Sequence, residues 1–156
     1  MKKQSPAAKG KLKVLQLIHS SFCGAVLLFA IIALSAQKQT YFSTRMAEGG
    51  QIFLIFPVLV LLTLFAGMRL FTFMLKDVDL IKDGQQRLTR YIGAFFVQMA
   101  LFEAAGLANT VLFLKTGNYL FLAFAAVALL TMFSVRPTRN RITNLLKLQH
   151  PDTDLL

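Results

Sequence analysis

The sequence predicts an all-α, polytopic membrane protein with four transmembrane helices arranged as two hairpins. Of its 156 residues, 56% are hydrophobic and 15% are charged, with a mean hydropathy of +0.60. A soluble domain carries about 25% charged residues and interrupts its apolar runs with polar ones. The apolar runs in this chain are long enough to cross a bilayer. The length allows one small bundle and no separate soluble catalytic domain.

Four apolar segments are predicted to span the membrane, at about 14–36, 52–75, 91–114 and 119–135. Together they define a transmembrane bundle over residues 14–135, preceded by a basic cytoplasmic arm at 1–13 and followed by a basic, amphipathic cytoplasmic tail at 136–156. Lys115-Thr116-Gly117-Asn118 predicts a tight turn between the last two spans, because Gly and Asn favour turn conformations.

Two amphipathic interfacial helices are predicted, one after span two and one after span four. Residues 76–90 mix both signs of charge around a few apolar side chains, and we expect Gly84 to end a helix there. In the tail, apolar residues alternate with Arg, Asn and Lys through about Leu148, which predicts a helix on the membrane surface and then a frayed end.

The first span also has features of a secretory signal peptide, since a basic start precedes an apolar run that ends in ALSAQ at 33–37. The run is longer than the apolar region of a signal peptide, which has 7–15 residues. It also contains His19, Ser20 and Ser21. We therefore expect the segment to be retained as a true span.

The distribution of positive charge predicts the orientation. With four spans, 14 of the 17 Lys and Arg residues fall on one side of the membrane and three, Lys38, Arg45 and Lys115, on the other. Cytoplasmic segments carry the excess of Lys and Arg, so both termini are predicted to be cytoplasmic. The expected location is the bacterial inner (cytoplasmic) membrane.

The net charge of +10 is assigned to the membrane and not to nucleic acid. The basic residues flank apolar segments, and no basic and aromatic nucleic-acid motif occurs. Such residues attract the anionic headgroups of the lipid bilayer. The residues predicted to lie at the headgroup interface are Arg69, Arg136, Arg139, Arg141, Tyr91 and Tyr119.

A single carboxylic acid, Glu103, lies in the middle of the third span, 12 residues after Tyr91. An ionisable group at that depth is costly and normally faces protein or water. One interpretation is a proton- or ion-binding carboxylate. The other is a protonated acid that is hydrogen-bonded to a neighbouring helix or to a partner subunit, and the lack of a basic partner at its depth favours it.

The surroundings of Glu103 predict helix packing. Ala100, Ala104 and Ala108 form a row of small residues beside it, with Gly106 one turn on, and small residues let helices approach closely. The other polar groups of the predicted site lie on the first and third spans, and they could form a proton path or interhelical hydrogen bonds. These groups are His19, Ser21, Cys23, Gln98 and Thr110, with a contact between His19 and Gln98 expected from their similar depth.

Enzyme motifs are missing from the sequence, so we predict a non-enzymatic protein without a metal or another cofactor. The two histidines lie at opposite ends of the chain, and no cluster of His, Cys and Asp has the spacing of metal ligands. No phosphate-binding glycine loop or nucleophile elbow occurs either.

The spacing of Glu103, Gly106, the turn at 116–118 and Arg136-Pro137-Thr138 resembles small four-span proteins of bacterial inner membranes, of the kind seen in Bacteroidota. The resemblance covers the C-terminal half, and that family has no settled activity to carry over. Two hairpins with one midmembrane acid also resemble rotary-ATPase proteolipids. This chain departs from them in having its acid in the third span, no glycine-rich helix and cytoplasmic termini.

The sequence therefore favours an accessory or scaffold subunit of an inner-membrane complex, or a homo-oligomer. The alternative is a small transporter or a proton- or ion-conducting subunit that uses Glu103. A third interpretation is a basic module that attaches to the membrane surface through residues 136–148.

Overall fold

The structure is a computed structural model that describes residues 8–44, 52–150 and 152–156. Most of the predicted cytoplasmic arm, residues 1–7, and part of the first loop, residues 45–51, lie outside the described residues. The described residues form helices and contain no strand, which confirms the all-α class. The five α-helices are α1 (Ala8–Ala36), α2 (Ile52–Met74), α3 (Gly84–Thr116), α4 (Tyr119–Ser134) and α5 (Arg139–Leu146).

Within the described residues, three helical segments are long and apolar enough to cross a membrane: Gly10–Ala36, Ile55–Leu80 and Gly84–Thr116. The helix α4 has 16 residues, or about 24 Å, and is shorter than a typical span. It satisfies the same length and composition test only together with α5, from which it is separated by a bend of 73°. By length and composition, three or four helices among the described residues could therefore cross a membrane.

The helix α3 is the centre of the bundle and contacts α1, α2 and α4. Its inner face carries large apolar side chains at helical spacing, and Tyr91, Phe95, Phe102 and Phe113 are each at most 1% exposed. Because these positions are 4, 7 and 11 residues apart, close to whole helical turns, they lie on one stripe along the helix. The stripe contributes the α3 side of both apolar clusters of the core.

Two glycines allow the close approach of neighbouring helices to α3. A Cβ atom added to Gly106 would lie 2.9 Å from Cγ1 of Val26 on α1. A Cβ added to Gly67 of α2 would lie 2.7 Å from Cε1 of Phe102. Helices in a membrane pack through such small residues, since lipid provides no hydrophobic drive for their association.

At one end of the bundle, residues 37–44 lie over the turn between α3 and α4. The predicted turn is confirmed, with Gly117 at φ 75° and Asn118 as the N-cap of α4. A Cβ on Gly117 would lie 2.1 Å from the carbonyl oxygen of Gln39, so this position requires glycine. The Asn118 side chain also donates to the Ser43 carbonyl at 2.8 Å. The first loop and the turn therefore form one hydrogen-bonded unit.

At the opposite end, α5 and the C-terminal residues pack under the bundle. The apolar face of α5, formed by Ile142 and Leu146, is fully buried in the main core. Arg87 of α3 donates to the Leu146 carbonyl at 3.1 Å. Leu156 is only 6% exposed, so the prediction of a frayed tail is wrong. An amphipathic pattern does not reveal whether its apolar face meets lipid or protein, and here it meets protein.

The segment after α2 also differs from the prediction. Where the sequence predicts an interfacial helix over residues 76–90, the chain forms a 3-10 turn, Val78–Leu80, and from Gly84 onwards it already belongs to α3. Gly84 begins α3 and does not end a helix, because the Asp83 carboxylate caps the new helix by accepting from Gln85 N–H at 3.0 Å. The third helix is therefore longer than the predicted span by seven residues at its start.

Candidate functional site

Glu103 lies half-buried on the edge of α3 that faces α1. Two turns earlier on this edge, the ring of Phe96 packs edge-on against Phe22 of α1, with ring centroids 5.4 Å apart. One turn later, Gly106 meets Val26 of the same helix. Among the described residues, none forms a hydrogen bond or an ion pair with the Glu103 carboxyl group. The acid therefore has no ion-pair or hydrogen-bond partner within the described part of the chain, and its side chain is only partly buried.

The small residues near Glu103 divide between two sides of α3. Gly106 is buried against α1 and α4, as described above. Ala100 is half-buried, whereas Ala104 and Ala108 are exposed. The predicted row of alanines therefore makes no tight contact inside the chain, and Gly106 is the small residue that packs there. Together with the exposed Gly93, these three alanines form what we call the outer face of α3.

His19 joins α1 to the end of α4. Its Nε2 lies 2.9 Å from the Met132 carbonyl oxygen, and the side chain is 4% exposed. A carbonyl only accepts, so Nε2 carries the hydrogen in this contact. The Met132 carbonyl also accepts from Val135 N–H at 3.2 Å, where the chain leaves α4, so His19 is the second donor to this carbonyl near the helix end. The imidazole also stacks on Phe95 of α3, with centroids 6.3 Å apart.

Cys23 is one turn after His19 on α1 and is also buried. Its Sγ lies 3.8 Å from the same Nε2 of His19, within the range of a weak contact to sulfur. The pair and the Met132 carbonyl form a small polar cluster between α1 and α4. It differs from the predicted contact between His19 and Gln98, since Gln98 is buried on α3 and the structure records no hydrogen bond between the two.

The predicted polar path across the bundle is not continuous among the described residues. Ser21 is exposed and donates to the Leu17 carbonyl of its own helix at 3.0 Å. Thr110 is buried and donates to the Gly106 carbonyl at 3.0 Å. Each hydroxyl group thus donates to a carbonyl four residues earlier in its own helix, as Ser and Thr commonly do in membrane helices. They do not connect Glu103 to the His19 cluster.

Asn109 is a fully enclosed polar side chain on α3, with 0% exposure. Its Nδ2 donates to the Ala105 carbonyl at 2.9 Å. Its Oδ1 has no donor among the described residues. A buried acceptor without a donor costs about 1–3 kcal/mol of folding free energy, so the Asn109 amide oxygen locally destabilises the core.

The residues predicted at the headgroup interface have different environments. Tyr91 faces the inside of the bundle: it is 1% exposed and stacks on Phe95, with ring centroids 6.0 Å apart. Tyr119 is 40% exposed. The guanidinium of Arg69 lies 4.9 Å from the centroid of Phe65, a cation–π contact.

The three remaining arginines lie beside the end of α4. Arg139 donates to the Thr153 carbonyl at 3.1 Å and Arg141 to the Ser134 carbonyl at 3.0 Å. No described residue forms a hydrogen bond or an ion pair with the Arg136 guanidinium. Two of these arginines therefore stabilise the chain itself, and the third is available to another group.

Sequence reasoning missed the partner of His19, since this partner is a backbone carbonyl. It also missed the groove beside His19, which is lined by Ser20, Gly24 and Phe133, among others. The spacing of Ser20 and Gly24, one helical turn apart on α1, is the one pattern that could have indicated an opening there. In the part of the chain that the structure describes, no group of three or more His, Cys, Asp or Glu side chains is arranged to hold a metal ion.

His19→Ala is expected to destabilise the protein by about 2 kcal/mol, because it removes a buried hydrogen bond between α1 and the Met132 carbonyl and the ring stacked on Phe95. His19→Gln is the matched variant, since an amide N–H replaces the imidazole donor, and we expect it to recover about half of the loss. The free energy of unfolding is measured by titration with SDS from mixed micelles, followed by far-UV circular dichroism. Equal stability of His19→Ala and wild type would contradict the assigned role.

Comparison with known proteins identifies no relative of this chain. Protein-family models, curated proteins and solved structures were compared with it, and none of them matches. The resemblance to small four-span proteins of bacterial inner membranes therefore stays a prediction.

Proposed function

We propose that this chain is a non-enzymatic, four-span protein of the bacterial inner membrane that acts as an accessory or scaffold subunit. It joins either copies of itself or the other subunits of a larger membrane complex. The observation that carries this proposal is the outer face of α3, where a partner helix docks beside Glu103. In this arrangement the partner completes the surroundings of the acid.

The composition of the outer face supports a helix as the partner. Gly93, Ala104 and Ala108 are exposed, and a Cβ added to Gly93 would meet no atom within 4 Å. Large side chains suited to lipid are exposed elsewhere on the bundle, such as Leu62 of α2 at 59% and Leu130 of α4 at 67% exposure. A smooth, small-residue surface offers little to lipid and allows a second helix to come close.

Glu103 gives this docking face its specificity. The carboxyl group lacks a partner among the described residues and lies at the margin of the outer face. A lone acid in a membrane costs several kcal/mol unless it is protonated, hydrogen-bonded or paired. A donor on an approaching helix lowers this cost, so a partner that supplies one is favoured over lipid.

The contacts between helix ends are consistent with four spans whose termini are both cytoplasmic, because the starts of α1 and α3 and the end of α4 lie at the same end of the bundle. Lys11 near the start of α1 hydrogen-bonds Gln85 at the start of α3 at 2.9 Å, and Gln16 donates to the carbonyl of Pro137, just after α4, at 3.3 Å. These ends carry most of the positive charge of the chain. The positive-inside rule then assigns them to the cytoplasm.

Ala104→Trp is expected to break the association, because the indole prevents close approach of a helix to the outer face. The protein-only mass of the detergent particle, measured by light scattering, should fall to the 17.4 kDa of one chain. Ala66→Trp is the matched control, since Ala66 is an exposed alanine in the middle of α2, and it should leave the mass unchanged.

Two results would contradict the subunit proposal. One is a wild-type particle that already has the mass of one chain and contains no other protein in a fixed ratio. The other is an Ala104→Trp particle with the wild-type mass and an unchanged circular dichroism spectrum. Loss of helical signal in Ala104→Trp alone would indicate misfolding, and Ala104→Leu, a smaller change at the same position, then replaces it in the measurement.

Transport through Glu103 is the second candidate function, and the unpartnered carboxyl group is the observation that favours it. Glu103→Gln keeps the shape of the side chain and removes its titration. The subunit proposal predicts that liposomes containing the wild type show no more proton flux than empty liposomes, and that Glu103→Gln leaves the particle mass unchanged. Wild-type flux that disappears in Glu103→Gln, with assembly intact, would establish transport instead.

A further inference from the structure

A groove between α1 and α4 joins two cavities that share Leu27. The first has a volume of about 380 Å³ and is lined by Ser20, Gly24, Phe133 and Arg136, among others. The second, of about 140 Å³, continues along the same two helices past Ala30 and Ala126 to Leu34. We call the two together the α1–α4 groove. It lies on a different side of the bundle from the outer face of α3.

The groove runs along most of the length that α1 and α4 share. Ser20 and Leu34 are fourteen residues apart on α1, which corresponds to about 21 Å along the helix axis. The hydrocarbon core of a membrane is about 30 Å thick, so the groove covers about two thirds of it. Its wide end is next to Arg136, just beyond the end of α4, and its narrow end lies beside Leu34 and Leu122, near the end of α1 and the start of α4.

The chemistry of the groove changes along this length. At the wide end, the Arg136 guanidinium and the Ser20 hydroxyl form no hydrogen bond with any described residue. The side chains of the neighbouring Ser21, Arg139 and Arg141 each donate a hydrogen bond to a backbone carbonyl. The narrow end is lined by alanine and leucine side chains. The groove is therefore cationic at the membrane surface and apolar inside.

We propose that the α1–α4 groove binds one anionic phospholipid. The phosphate accepts from the Arg136 guanidinium and the Ser20 hydroxyl, and one acyl chain lies along Leu27 towards Leu34. An arginine binds phosphate strongly because its planar donors match two phosphate oxygens. Gly24 leaves the space beside the glycerol backbone of the lipid open, since a Cβ there would meet no atom within 4 Å.

The shape of the groove favours a lipid over a protein helix. The narrow end has a volume of only about 140 Å³, whereas a helix with its side chains is about 10 Å wide. An extended acyl chain is narrower. The gradient from an unpaired cation to an apolar channel also matches a phospholipid, whose charge and chain lie at opposite ends. The inference requires insertion in a membrane and is independent of docking on the outer face of α3.

Native mass spectrometry of the full-length protein, titrated with phosphatidylglycerol, tests the proposal. We expect the wild type to retain one lipid and to bind phosphatidylcholine, which has no net charge, more weakly. Arg136→Gln should weaken phosphatidylglycerol binding roughly tenfold, the effect of losing a charged hydrogen-bonding partner. Arg139→Gln removes the same charge outside the groove and is the matched control, with binding expected to stay within about twofold of wild type.

A second variant tests the apolar part of the groove. Ala126→Phe fills the narrow end without a change of charge, and it should also weaken lipid binding while circular dichroism shows the helices intact. Equal losses in Arg136→Gln and Arg139→Gln would indicate general attraction to a basic surface and overturn the site. Unchanged binding in Ala126→Phe would overturn the acyl-chain assignment, and a stably bound protein in the groove in place of lipid would overturn the ligand class.

Discussion

The packing of α3 against the other three long helices is the contact on which the rest of the structure depends. Its inner stripe, from Tyr91 through Phe95 and Phe102 to Phe113, is almost completely enclosed. In a lipid environment this stripe gains little from burial as such, and its stability comes from dense packing. Because the other three long helices cover this face of α3, the small residues on the opposite side remain exposed, with Glu103 at the margin.

The main features of the fold follow from patterns that the sequence carries directly. Long apolar runs identify the helices, and the turn at 115–118 follows from glycine and asparagine chemistry. The start of α3 at Gly84 was missed because charged residues hide the helix there, and the Asp83 cap was not recognised. The position of α5 was missed for a different reason: the pattern that contains Leu146 fits a lipid surface and a protein surface equally well.

The candidate site was less predictable than the fold. Depth along a helix could be counted from the sequence, and it predicted a contact between His19 and Gln98, but the recorded partner of His19 is the Met132 carbonyl. Direction around the helix could not be assigned, because almost every position on a membrane helix is apolar. Ala104 was therefore expected in a tight contact and is exposed, whereas Gly106 makes that contact. The partner of His19 is a backbone carbonyl, which no residue type reveals.

The central claim is that a partner helix covers the outer face of α3 in the membrane. Spin labels at Ala104→Cys and Ala66→Cys, each in a Cys23→Ala background and in lipid nanodiscs, test it directly through their collision rates with oxygen, which dissolves in lipid. The account predicts that the label at 104 is shielded from oxygen and the label at 66 is not, although both alanines are exposed in a single chain. Equal collision rates at the two positions would contradict it.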